Sequence, residues 1–170
     1  YLLENVSDDS TAVVDASGTH TYADLRRLVA DHLEALRERD WRSRGPVALV
    51  APNGVGWLAA YLAILASGMV AVPLPTTLSP DEIAARAQWI GAEACFLGPR
   101  EFKQLRDRVR RALPVASAPI GNRQSGVQFT GVDADSDAVY AFTSGTTGTP
   151  SAVRHPRGNL QANTESSPAS

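Results

Sequence analysis

The 170-residue chain has one cysteine, Cys95, one lysine, Lys103, and one methionine, Met69. A lone cysteine excludes an internal disulfide framework and fits a reducing, cytoplasmic compartment. With a single lysine, arginine supplies almost all the cationic side chains. Aromatic residues amount to 6% and the formal net charge is −2, so there is no global attraction to nucleic acid or to an anionic membrane. Charge is missing altogether between Arg44 and Asp81. Length alone would permit a membrane helix over 54–74, but Pro46, Pro52, Gly54, Gly68, Pro73 and Pro75 break the stretch. It reads as two buried strands around one buried helix, with no membrane span. Tyr1–Asn5 lacks the charged and apolar regions of a signal peptide.

What is present suits one globular domain: 44% of the residues are hydrophobic and 20% are charged. Thr11–Val14 and Thr19–Thr21 flank Asp15-Ala16-Ser17-Gly18, which predicts a hairpin. Thr21 caps a helix, with Asp24 in capping-box position and Leu25, Leu28, Val29, Leu33 and Leu36 at helical spacing. His32 lies on that apolar face and reads as a satisfied core-edge histidine. Val47–Ala51 is a strand buried on both faces, followed by a helix over 55–66 and a C-cap at Gly68. Val70–Leu74 is a second buried strand. Ser79-Pro80-Asp81-Glu82 starts a helix that runs to Gly91. Ala94–Leu97 is a third strand, and 101–113 reads as a fourth helix stopped by Pro114. Residues 114–137 read as a linker or excursion with a small strand near Val127–Phe129. Val139–Phe142 is the last sheet strand. Gly158–Thr164 suggests a helix, and 166–170 a disordered tail. The alternation predicts an α/β fold, a three-layer subdomain over 1–165 with a mostly parallel sheet flanked by helices.

One segment carries chemistry. Thr143-Ser144-Gly145-Thr146-Thr147-Gly148-Thr149-Pro150-Ser151 follows the last strand directly. Glycines let a backbone turn tightly and present N–H groups to an anion, and the hydroxyls add donors. The segment is not a Walker loop and not the dinucleotide fingerprint. On chemistry alone it is either a phosphate cradle or a polar surface turn.

Thr143–Val153 resembles the phosphate loop of the adenylate-forming superfamily, which comprises acyl-CoA synthetases, nonribosomal peptide synthetase adenylation domains and luciferases. Two further segments agree, in that family's order: Thr21-Tyr22-Ala23-Asp24-Leu25, and Leu65 through Leu74. The run Val47–Asn53 is also similar. The resemblance implies the fold of that family's N-terminal region and an ATP-dependent carboxylic acid ligase, in which an acyl-adenylate forms and a thiol then takes the acyl group. It implies phosphate-binding roles for Thr143, Ser144, Gly145, Thr146, Thr147, Gly148 and Ser151.

Two departures bear on activity. Ser151 and Ala152 stand where the family has lysine and glycine. Arg154 and Arg157 are the nearest cations; a solvent-facing or framework role is the leading reading for each, and substitution for the lysine the alternative. The family's adenine, ribose, acid and Mg²⁺ contacts lie in segments this sequence does not contain. The resemblance therefore implies ATP bound weakly or not at all by these residues alone. Mg²⁺ and a carboxylic acid would bind only with the missing segments, and no catalytic residue is assigned. A second reading is a truncated, non-catalytic homologue acting as a scaffold, as a homodimer or with a partner protein.

The remaining candidates are weak. Asp133–Asp137 has the acidic spacing of a calcium loop but lacks its glycine and its final glutamate. Arg106, Arg108, Arg110 and Arg111 form a basic stretch without interleaved aromatics, a solvated face rather than a nucleic-acid surface. Cys95 reads as buried and inert. His20, His32 and His155 lack metal-ligand spacing.

Overall fold

The computed structural model describes residues 6–37, 45–118, 133–143 and 151–159. A hairpin of β1 (Thr11–Asp15) and β2 (Gly18–Thr21) forms a two-stranded sheet of its own. It leads into α1 (Tyr22–Arg37), whose Thr21–Asp24 capping box forms as the sequence predicts: Thr21 N–H donates to Asp24 Oδ2 at 3.0 Å and Asp24 N–H to Thr21 Oγ1 at 3.2 Å.

The central sheet is built from β3 (Pro46–Val50), β4 (Val70–Pro73), β5 (Ala94–Leu97), β6 (Ala112–Pro114), β7 (Asp137–Thr143) and β8 (Ser151–Pro156), in the order β6-β5-β3-β4-β7-β8. All neighbours are parallel except β7 and β8. The helices are α2 (Val55–Ala66) between β3 and β4, α3 (Pro80–Trp89) between β4 and β5, and α4 (Pro99–Leu105) between β5 and β6.

Alternating strand residues build two cores. Val47, Leu49, Ala71 and Phe96 pack beneath Ala60 and Ile64 of α2 and Leu36 of α1. Ala48, Val50, Val72, Cys95 and Leu97 face Ile83 and Ala87 of α3 and Leu105 of α4. A third cluster joins α1 to α2 through Leu25, Val29, Ala59 and Leu62. The result is the expected three-layer α/β arrangement. Burial explains the charge-free run: β3 and β4 lie inside the sheet with a core cluster on each side, and most residues of α2 between them are buried.

Three assignments need correction. The expected helix over 101–113 starts earlier, at Pro99, and ends at Leu105; Ala112–Pro114 instead extend β5 as strand β6, with Leu113 paired to Phe96. Leu105, Val109 and Leu113 repeat at helical spacing, but Leu113 is buried by pairing at the sheet edge. Ser151–Pro156 form an antiparallel strand rather than part of a polar loop and tail. The linker boundaries also move, because Pro114 belongs to β6 and Asp137 to β7. The strand expected near 127–129 and most of the helix expected over 158–164 lie outside the described residues, as does the tail.

Candidate functional site

Because β3 to β7 run in one direction, their carboxyl ends share one rim of the sheet, and antiparallel β8 begins there. The strands β7 and β8 hold the hydroxyl–glycine segment between them. Their register pairs Thr143 with Ser151, and Thr143 Oγ1 lies 2.7 Å from Ser151 Oγ. The structure thus brings two of the seven sequence-predicted residues together, at the mouth of the loop. Ser144, Gly145, Thr146, Thr147 and Gly148 lie outside the described residues.

The nearby cations belong to the framework. Arg154 Nε donates to Asp137 Oδ1 at 3.1 Å, and its Nη2 lies 2.6 Å from Asp137 Oδ2. Tyr140 donates its hydroxyl to the same carboxylate at 2.8 Å. Burial pushes the Asp137 carboxyl up, but Arg154 and Tyr140 outweigh it and hold the group below its ordinary value. Asp137 is six strand positions from Thr143, about 20 Å, so the guanidinium is drawn away from the loop. Arg157 donates to Leu65 O at 2.9 Å and Met69 O at 2.8 Å, tying the end of β8 to carbonyls at the end of α2 and just beyond it. Lys103 lies in α4 on the β5–β6 side, with β3 and β4 between it and β7. Position 151 therefore contributes a neutral hydroxyl, and neither arginine takes the place of a cation there. Asp137 escapes a sequence reading because its partner is 17 residues away and only the β7–β8 register joins them.

A second group of polar side chains sits on the same rim. Asp15 Oδ1 accepts from Ser17 N at 2.8 Å and Ser17 Oγ at 2.5 Å, and Asp15 Oδ2 accepts from Val55 N at 2.8 Å. Led by the Ser17 hydroxyl and the Val55 amide, these bonds hold the Asp15 carboxyl far below the usual carboxylate range. His20 Nε2 is 2.9 Å from Ser17 Oγ and 3.2 Å from Asp15 Oδ1. Both contacts fall on one ring nitrogen, so the imidazole does not relay between acid and hydroxyl as a catalytic triad requires. The carboxylate instead caps α2 from another element, and that helix N-terminus is closed to a ligand anion.

The remaining candidates are structural. His32 is buried; its Nε2 accepts from Ala116 N–H at 3.1 Å, which leaves Nδ1–H to donate to Leu28 O at 2.7 Å. Burial lowers its pKa. Cys95 is buried, and its thiol is pushed up to about 12. Asp133 closes a turn, accepting from Asp135 N at 3.1 Å. The basic stretch falls beyond the end of α4, with Arg108 paired to Asp81 and Arg106 to Asp107. Among the described residues no three His, Cys, Asp or Glu are placed to hold a metal ion, and no helix is long and apolar enough to cross a membrane.

Residues 4–169 match the family model of the AMP-binding enzymes. The chain is 36% identical over 149 residues to phenyloxazoline synthase MbtB of Mycobacterium sp. (strain MCS), covering 85% of this chain and 12% of that protein. It superposes on a Bacillus subtilis o-succinylbenzoate CoA synthetase with a TM-score of 0.78 at 22% identity, covering 96% of this chain and 34% of that one. It also superposes on the AMPPNP-bound nonribosomal peptide synthetase FmoA3 with a TM-score of 0.69 at 25% identity, covering 88% and 16%. The chain spans 12% to 32% of the lengths of the first curated relatives it matches. It has the architecture of the N-terminal part of adenylate-forming enzymes, its family match takes in nearly every residue, and the chain belongs to the AMP-binding enzyme family.

Proposed function

We propose that residues 1–165 are the phosphate-binding part of an ATP-dependent carboxylic acid ligase, in which Thr143–Gly148 and Ser151 contact the nucleotide's phosphates. Residues 115–136 form an excursion between β6 and β7, and 166–170 a tail. When ATP is bound, carboxylate attack on its α-phosphorus releases pyrophosphate and leaves an acyl-adenylate for a thiol to capture. The residues of this chain hold and orient the phosphates, the positioning on which phosphoryl chemistry depends. The supporting observation is the hydroxyl pair at the loop mouth, Thr143 Oγ1 to Ser151 Oγ at 2.7 Å on the carboxyl rim of the sheet. Those hydroxyls fit a phosphate oxygen. In this reading metal binding and turnover belong to further segments of the ligase, and these residues by themselves hold the phosphates without adenylating an acid.

Calorimetric titration with ATP tests the reading. Weak saturable binding is expected, and Ser151→Lys is expected to tighten it about ten- to a hundredfold, since one charge-assisted hydrogen bond contributes about 1.5–3 kcal/mol. No saturable binding by either protein at millimolar ATP would overturn it. A non-catalytic scaffold is the second reading, and one feature favours it: Trp89 is 54% exposed, with its ring 5.8 Å from that of Phe142. Light scattering distinguishes the two, since the scaffold requires self-association or a stable partner complex.

A further inference from the structure

A cavity of about 530 Å³ lies between α3 and the turn that joins α4 to β6, on the face of the sheet opposite α2. That volume falls within the roughly 300–1,000 Å³ of small-molecule sites. Ala84, Ala85 and Gln88 of α3 form one wall; the alanines stand four and three positions before Gln88, which puts all three on one side of the helix. Arg108 and Arg110 of the turn form the other wall. Buried Ala87 and Cys95 lie at the floor. The space stays open because the centre of the α3 wall is alanine, whose side chain is a single methyl. β3 and β4 separate β5, which carries Cys95, from β7 and the loop that leaves it.

The charges lining the cavity do not cancel. Arg108 and Arg110 stand against one carboxylate, Asp81. Arg108 is paired with Asp81, so those two charges offset each other. Arg110 has no ion pair or hydrogen bond among the described residues. An exposed arginine alone is a solvated cation. Here the methyl groups of Ala84, Ala85 and Ala87 lie in the same cavity, with a Cys95 thiol that burial keeps protonated. A guanidinium meets a carboxylate through two parallel N–H bonds, a geometry that few other anions match as well. The Gln88 amide offers a further N–H donor from the α3 wall. Apolar groups below the charge suit an alkyl chain, and each methylene fully buried strengthens binding by up to about fourfold. We propose that this groove is a binding site for a short-chain alkyl carboxylate, whose head group pairs with Arg110 and whose chain lies along Ala84 and Ala85. The inference needs no ATP and does not depend on the phosphate loop.

The probe is sodium hexanoate, titrated into the folded chain without ATP and followed by amide and methyl NMR shifts, with sodium butanoate and hexylammonium chloride as controls at matched ionic strength. Saturable shifts centred on Ala84, Ala85, Gln88 and Arg110 are expected with hexanoate. Butanoate should bind there severalfold more weakly, and hexylammonium should leave those signals in place. Arg110→Gln should weaken hexanoate binding at least tenfold, the loss of one charge-assisted contact. Ala85→Leu keeps a strong helix former at an exposed position and fills the groove, so it should abolish binding with the wild-type circular dichroism retained. If that variant does not fold, Arg110→Gln decides the matter alone. No saturable shift at these residues, equal responses there to hexylammonium or butanoate, or hexanoate binding unchanged in a folded variant would overturn the proposal.

Discussion

A β-carbon at position 54 would stand 2.7 Å from Asp15 Oδ2, and Gly54 holds φ at 156°. Both facts require glycine, because the backbone there is one that other residues adopt only under strain. Gly54→Ala is expected to cost about 1–3 kcal/mol and to loosen the bond between Asp15 and Val55 N–H; urea denaturation measures the first and amide exchange at Val55 the second. His32 makes a comparable demand through its protonation state. Its Nε2 must stay unprotonated to accept from Ala116, and burial lowers its pKa from the ordinary value of 6.5. The unfolded chain therefore takes up a proton that the native state resists. Stability is complete above about pH 6.5 and falls as pH drops from there toward the lowered folded value. His32→Leu orphans the Ala116 N–H and is expected to cost about 1–3 kcal/mol at neutral pH. The loss of stability between about pH 7 and pH 5.5 should shrink in the variant, as urea midpoints at the two pH values would report.

Capping chemistry made helix starts readable, whereas the two edge strands β6 and β8 depend on pairing and were not readable. α3 begins where Ser79-Pro80-Asp81-Glu82 predicts: Ser79 Oγ accepts from Glu82 N at 3.3 Å and Glu82 Oε2 from Ser79 N at 2.9 Å. Ser79→Ala is expected to lower stability by about 0.5–2 kcal/mol, most visibly as faster amide exchange in the first turn of α3. β6 and β8 carried no comparable local mark. β6 is three residues long and exists because β5 offers it an unpaired edge; β8 alternates weakly and takes its register from β7. Both are edge strands, where partners matter more than propensity. The same limit applies to the loop mouth. The hydroxyls of Thr143 and Ser151 were legible as candidates, but their bond follows from the antiparallel register.

Across the whole molecule, the hairpin, α1, α2, α3 and β7 are joined to their neighbours partly through acidic side chains. Asp15, Asp24, Glu82 and Asp137 all have lowered pKa values; the Ser17 hydroxyl leads for Asp15, the Thr21 amide for Asp24 and the Ser79 amide for Glu82, while Arg154 and Tyr140 overcome burial at Asp137. Groups depressed in this way contribute stability above their unfolded values near pH 4, and the contribution is lost as pH falls through the folded values. The chain is expected to lose urea resistance between about pH 4 and pH 2. Asp15→Asn should have a lower midpoint at neutral pH and a shallower acid slope.

The order of elements through β5, their buried faces and the family's three motifs all followed from local pattern, because hydrophobic period, caps and turns act over a few residues. Folding decided which cations are available: Arg154 goes to Asp137 and Arg157 to the carbonyls of Leu65 and Met69. It also set the divergence of β3 and β5. Such contacts depend on strand order and register, which join residues far apart in the chain, and no local pattern encodes them.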